Sequence, residues 1–196
     1  MSDALFANKK MYAAKLTTKP NAPYMVKGLE SKKRNYPPAL RAVLKTVQTL
    51  LLHEKYDETR SAIEAFVRRL AREEIPLDDL SISAAYRADT AGRALIRPYT
   101  LEKVSRRRGI KFTDGDRIKY IVRERKASEK EFQMGAELDH AKAKKLSPCV
   151  PHYFKALRAP LLKLIQFNFD TKSLLTTMAR DVDRLQTEIK LKQLFA

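Results

Sequence analysis

The 196-residue sequence predicts an α+β fold that is mostly α, with extended structure confined to its start and to one small element further along. Three observations carry this reading. From Pro37 onward, apolar residues recur at three- and four-residue intervals, the spacing that lines one face of a helix. Over Arg117–Arg123 the order is instead Arg117, Ile118, Lys119, Tyr120, Ile121, Val122, Arg123, the mixed charged and apolar pattern of a strand. Hydrophobic residues make up 44% of the chain, with only 5 glycines and no low-complexity tract, so a core can form and general disorder is excluded.

Ala4–Leu16 mixes apolar and basic residues without a helical period and reads as extended. Pro20–Pro23 marks a turn before a second strand over Tyr24–Gly28. Two strands bury too little to stand alone, so they are expected to join a sheet completed by another polypeptide. Pro37 and Pro38 open a helix, where a missing N–H has no partner to lose; Leu40, Val43, Leu44, Val47, Leu50 and Leu51 form its apolar face. Asp57 is expected to cap a second helix carrying Ile63, Phe66, Val67 and Leu70, antiparallel to the first because the connection is short. Pro76 and Asp78–Asp79 break the pattern before a short Leu80–Ser83 strand or turn. A helix over Thr100–Arg108 should end at Gly109, which tolerates the left-handed conformation of a C-terminal cap. Thr113–Asp116 then turns into the Arg117 strand. Ser128–Lys145 reads as a charged, exposed helix and Tyr153–Phe167 as a buried one. Asp170 is placed to cap a final helix from Thr171 to about Lys192, with Leu174, Leu175, Met178, Val182, Leu185 and Ile189 as its buried stripe.

Charge is the dominant compositional feature. Forty Lys and Arg against 23 Asp and Glu leave +17, and the pI is near 10.0. Residues 1–45 carry ten basic against two acidic residues, and residues 93–130 thirteen against five, +8 in each. Nucleic acid is the commonest polyanion that selects for such an excess. Two basic runs interleaved with Tyr12, Tyr24, Tyr36, Tyr99 and Tyr120 suit successive phosphates of one duplex, each neutralised phosphate releasing counterions. The single Cys149 excludes an intramolecular disulfide and an ordinary thiolate zinc cluster. With no run of 18 apolar residues and no signal-peptide stretch at the start, a soluble, intracellular protein is expected.

No catalytic constellation emerges. His53, His140 and His152 lack cysteines or carboxylates at metal-ligand spacing, and no glycine-rich loop is present to cradle a phosphate. Asp78 and Asp79 are adjacent, so their side chains point apart, as at an exposed loop end. Cys149, near Pro148 and Pro151, reads as a packed residue. Catalytic residues, metal ligands and cofactors are therefore all predicted as none in this chain.

Several segments, in order, resemble family B DNA polymerases. Lys9–Lys10–Met11–Tyr12, followed by Ala13–Ala14, is similar to that family's KKxY motif, a palm element gripping the primer–template. Lys27–Gly28–Leu29–Glu30, with Lys32–Lys33–Arg34, resembles the strand leading from palm to thumb. Leu80–Ser83 stands where the family has an "LVIS"-like thumb segment. Arg106–Ile110 and Gly115–Val122 resemble its "RGI…GDRIPYVI" run. Met11 stands in place of the usual arginine, which weakens one expected DNA contact, and Lys119 in place of the usual proline.

The resemblance implies that residues 1–36 are terminal palm strands and residues 37–196 a helical thumb with a small β element. It further implies a DNA-directed DNA polymerase (nucleotidyltransferase) fragment that grips primer–template duplex during replication. DNA contacts are expected from Lys9, Lys10, Tyr12, Lys27, Arg34, Arg106, Arg107, Arg108 and Arg117. The family's metal-binding aspartates, fingers helix and exonuclease carboxylates would lie upstream of Lys9. The chain is thus expected to be non-catalytic alone, a split virus- or phage-type subunit whose partner fragment binds magnesium, acting at replicating DNA in a bacterial host's cytoplasm or a eukaryotic host's nucleus or virus factory. Leu191, Leu194 and Phe195 resemble the terminal peptide that holds a sliding clamp; packing on their own domain is the alternative. A free-standing basic architectural protein binding nucleic acid, or a structural protein meeting acidic partners, would share the composition.

Overall fold

A computed structural model describes residues 4–8, 11–14, 25–33, 35–90 and 93–194. The N-terminal region forms an antiparallel sheet of strands β1 (Ala4–Asn8), β2 (Met11–Ala14) and β3 (Met25–Lys27) in that spatial order. Tyr12 lies opposite both Phe6 and Lys27, and a bulge interrupts β1 between Phe6 and Asn8. The sheet has three strands where the sequence predicts two. The reversal falls inside Ala4–Leu16, which contains no glycine or proline to announce a hairpin. The predicted turn at Pro20–Pro23 lies outside the described residues. Ala13 and Ala14 are fully buried, and Leu5 and Val26 pack against the main core, so the sheet rests on the helices rather than standing alone.

Four helices build that core: α1 (Pro38–Leu52), α2 (Tyr56–Ala71), α6 (Val150–Ile165) and α7 (Thr171–Leu194). The apolar cluster runs without a break from Ala13 and Leu29, through Leu40, Leu44, Ile63 and Leu70, to Leu161, Ile165, Met178 and Val182. Asp57 does not cap α2. It lies inside the first turn with Glu58, where a carboxylate still favours the positive end of the helix dipole. Asp170 does act as a cap, accepting the Ser173 N–H at 3.2 Å. Phe167, placed by the sequence in a buried helix, is 76% exposed because α6 stops at Ile165.

Between α2 and α6 lies a second antiparallel sheet, β4 (Ile82–Ala85), β5 (Arg117–Val122) and β6 (Gly135–Glu137), packed by α3 (Leu77–Leu80), α4 (Ile96–Arg108) and α5 (Leu138–Ala143). The charged helix predicted over Ser128–Lys145 is not formed. A 3-10 turn, β6 and the short α5 replace it, and β6 is wholly buried. Charged residues at both ends of the stretch hide the Met134–Leu138 centre, apolar except for Glu137. Gly135 permits the crossing there, since a Cβ would collide with the Thr100 side chain.

The second sheet is stitched to α6 at one seam. The Val122 carbonyl accepts the Cys149 N–H at 2.8 Å, and the Val122 N–H donates to the Tyr153 hydroxyl at 2.9 Å. Tyr153 is completely buried, and burial holds its phenol above the usual range. Tyr153→Phe would leave the Val122 N–H without an acceptor in a dry site, so a loss of about 1–3 kcal/mol is expected in a urea melt. A variant as stable as the parent would show the hydroxyl to be dispensable.

Candidate nucleic-acid interface

On the first sheet, the predicted contact residues Tyr12 and Lys27 are direct cross-strand neighbours, Tyr12 half-buried and Lys27 exposed. Lys9, Lys10 and Arg34 lie outside the described residues.

The arginine triplet at the end of α4 is arranged by that helix's last turn. Arg106 reaches back one turn to Glu102 at 2.6 Å. Arg107 and Arg108 both pair with Glu137 at the end of β6, and Arg108 also lies 3.9 Å from Asp139. Glu137 is only 6% exposed, so the two guanidiniums neutralise a buried carboxylate and hold α4 to β6. Gly109, at φ 66°, ends the helix as expected.

A second buried charge was not predicted. Arg123, 6% exposed, follows β5 and bonds Glu129 at 2.5 Å, the Glu124 carbonyl at 2.6 Å and the Gln133 carbonyl at 3.4 Å. The Arg123 hydrogen bond holds the Glu129 carboxyl down to about 2, against the opposing effect of burial. No sequence signal marked it: strand alternation puts Arg123 on the face of Arg117 and Lys119, and its burial continues a run that begins at Tyr120.

At the other end of β5, Arg117 and Lys119 are exposed and point away from the core that receives Ile118 and Tyr120. Arg117 Nε donates to the Ser83 hydroxyl at 3.1 Å, and Ser83 is the cross-strand partner of Lys119.

Residues 2–167 of the chain match the family model of DNA polymerase family B. The chain belongs to that family. Its fold also resembles the solved family B DNA polymerase of the hyperthermophilic archaeon Pyrobaculum calidifontis, with a TM-score of 0.64 and 19% identity over 82% of this chain. The match covers 21% of the archaeal polymerase, so the chain spans about a fifth of that relative's length. No curated protein matches it.

Other titratable residues of this family B chain are engaged locally. Among the described residues no group of three or more His, Cys, Asp or Glu converges. Asp78 is bound instead to Lys142 at 2.6 Å. Burial, followed by Arg107, Lys103 and Lys144, pushes the His140 imidazole below its usual range, and burial raises the Cys149 thiol, as befits a packed cysteine. Of the apolar C-terminal cluster, Leu191 is 49% exposed near the end of α7 and Leu194 is that helix's last residue. Phe195 lies outside the described residues.

Proposed function

We infer that the chain is the duplex-gripping part of a family B DNA polymerase, residues 1–36 serving as palm strands and 37–196 as thumb. The distribution of charge carries this reading: residues 1–45 and 93–130 hold +16 of the +17 excess, and Lys27, Lys33, Arg117, Lys119, Arg125, Lys126 and Lys130 within them are exposed. Lys9, Lys10, Tyr12, Lys27 and Arg34 would hold the duplex from the palm side. Arg117 would hold it from the thumb side, with Arg106, Arg107 and Arg108, already paired with Glu102 and Glu137, behind it. Contacts to phosphate position DNA without reading its sequence, so the result is processivity rather than specificity.

Nucleotidyl transfer and its magnesium belong in this reading to a catalytic fragment of the same polymerase, in a split virus- or phage-type arrangement at replicating DNA. No helix among the described residues is long and apolar enough to cross a membrane. The tail at Leu191, Leu194 and Phe195 would tether a sliding clamp through a short apolar peptide.

Primer extension by the assembled enzyme tests both parts. Lys9→Ala with Lys10→Ala should weaken primer–template binding by about 1–3 kcal/mol and shorten products. Undiminished processivity would remove these lysines from the grip. Deleting residues 191–196 should abolish stimulation by a clamp while leaving clamp-free extension intact. Retained stimulation would return the tail to the core.

A further inference from the structure

We propose that the outward face of β5, through Arg117 and Lys119, is a phosphate-binding strip for one strand of duplex DNA, with the arginine triplet of α4 as its buttress. The inference rests on the DNA-gripping reading and goes beyond it by distinguishing the cations that meet the ligand from those that hold the fold. Arg107 and Arg108 are engaged with the buried Glu137, and Arg106 with Glu102. Among the described residues, neither Arg117 nor Lys119 forms an ion pair.

The strip is built by strand geometry. Residues two apart on a strand project from the same face at a spacing of roughly 6.6 Å, so Arg117 and Lys119 stand side by side. Ile118 and Tyr120, between and beyond them, face the core. Ile121 lies on the same face as Lys119, but there Leu138 and Ala141 of α5, with Leu77, cover the sheet, leaving only the Arg117–Lys119 end open. The Ser83 hydroxyl holds the exposed Arg117 guanidinium through Nε, and no ion pair among the described residues occupies the rest of its fork, which suits it to a phosphate. Lys119 acts electrostatically on Asp78, whose carboxylate Lys142 already holds at 2.6 Å, so this acid is occupied.

The test is the salt dependence of duplex binding, read by fluorescence anisotropy of a labelled primer–template with the full chain and its variants. Each lost phosphate contact lowers the slope of log affinity against log salt by about 0.9, so Arg117→Gln with Lys119→Gln should flatten it by about 1.8. Arg117→Lys with Lys119→Arg, which keeps both charges, should restore most of it, and Arg106→Gln should change it little. Thermal melting should be unchanged in all three, since the residues are exposed. A parent that binds with a steep slope beside a double-glutamine variant with the same slope and affinity would overturn the strip and leave the DNA-gripping reading standing. A parent with no salt-dependent duplex binding would overturn both.

Discussion

Replacing Arg107 and Arg108 together with alanine is expected to cost about 3–5 kcal/mol of folding stability, the usual penalty for leaving a buried charge without its partner. The charge is that of Glu137, 6% exposed at the end of β6 and paired with both arginines. Removing the arginines leaves the carboxylate in place with little water to receive it. Adding Glu137→Gln to the double variant should recover a large part of the loss, because a neutral amide is cheaper to bury than an unpaired carboxylate. Urea melts of the parent, the double and the triple variant measure the effect. A double variant as stable as the parent would show that Glu137 needs no partner, and the arginines would then be available to DNA.

Glu129→Gln is the second large effect, roughly 3 kcal/mol, because it leaves Arg123 charged and 6% exposed with only carbonyl oxygens as partners. The pair also gives the chain a defined acid weakness. The Glu129 carboxyl sits at about 2 in the folded chain against an ordinary 4.5. A carboxyl depressed in this way contributes stability that is complete above its ordinary pKa and disappears as pH falls from about 4.5 towards 2. The melting temperature of the parent should therefore drop across that window, and that of Glu129→Gln should start lower and drop less. Parallel profiles would mean that Glu129 does not carry the acid sensitivity.

Much of the fold was legible because it is local. The apolar face of α1, the stripe of α7 from Leu174 to Leu185, the Gly109 cap and the alternation in β5 each depend on residues within one element, and each appears in the structure. The misreadings arise where distant segments decide the outcome. Nothing in Ala4–Leu16 marks a reversal, and the strand over Gly135–Glu137 packs against Thr100 and Ile96, more than thirty positions away. The pairing of Arg107 and Arg108 with Glu137 was not legible, because that partner is about 30 positions away and ordinary in sequence. Arg123 looked like surface charge at a strand end for the same reason: its burial is created by the turn that brings Glu129 and Gln133 back over it. Charge content is readable from a sequence, but which charges are already neutralised is a property of the fold.

The seam at Val122 also has a mechanical side. β5 is a stiff member about 20 Å long, with Arg117 and Lys119 at its outer end and the hydrogen bonds to Cys149 and Tyr153 at its inner end. One turn along α6 from Tyr153, the Ala156 carbonyl accepts the Tyr36 hydroxyl, which anchors the segment leading from the N-terminal sheet. Both basic regions are therefore fastened to the same turn of one helix. A tug on either region meets the resistance of α6 before it can separate them, and the span between them is set by a short, braced strut rather than by a hinge.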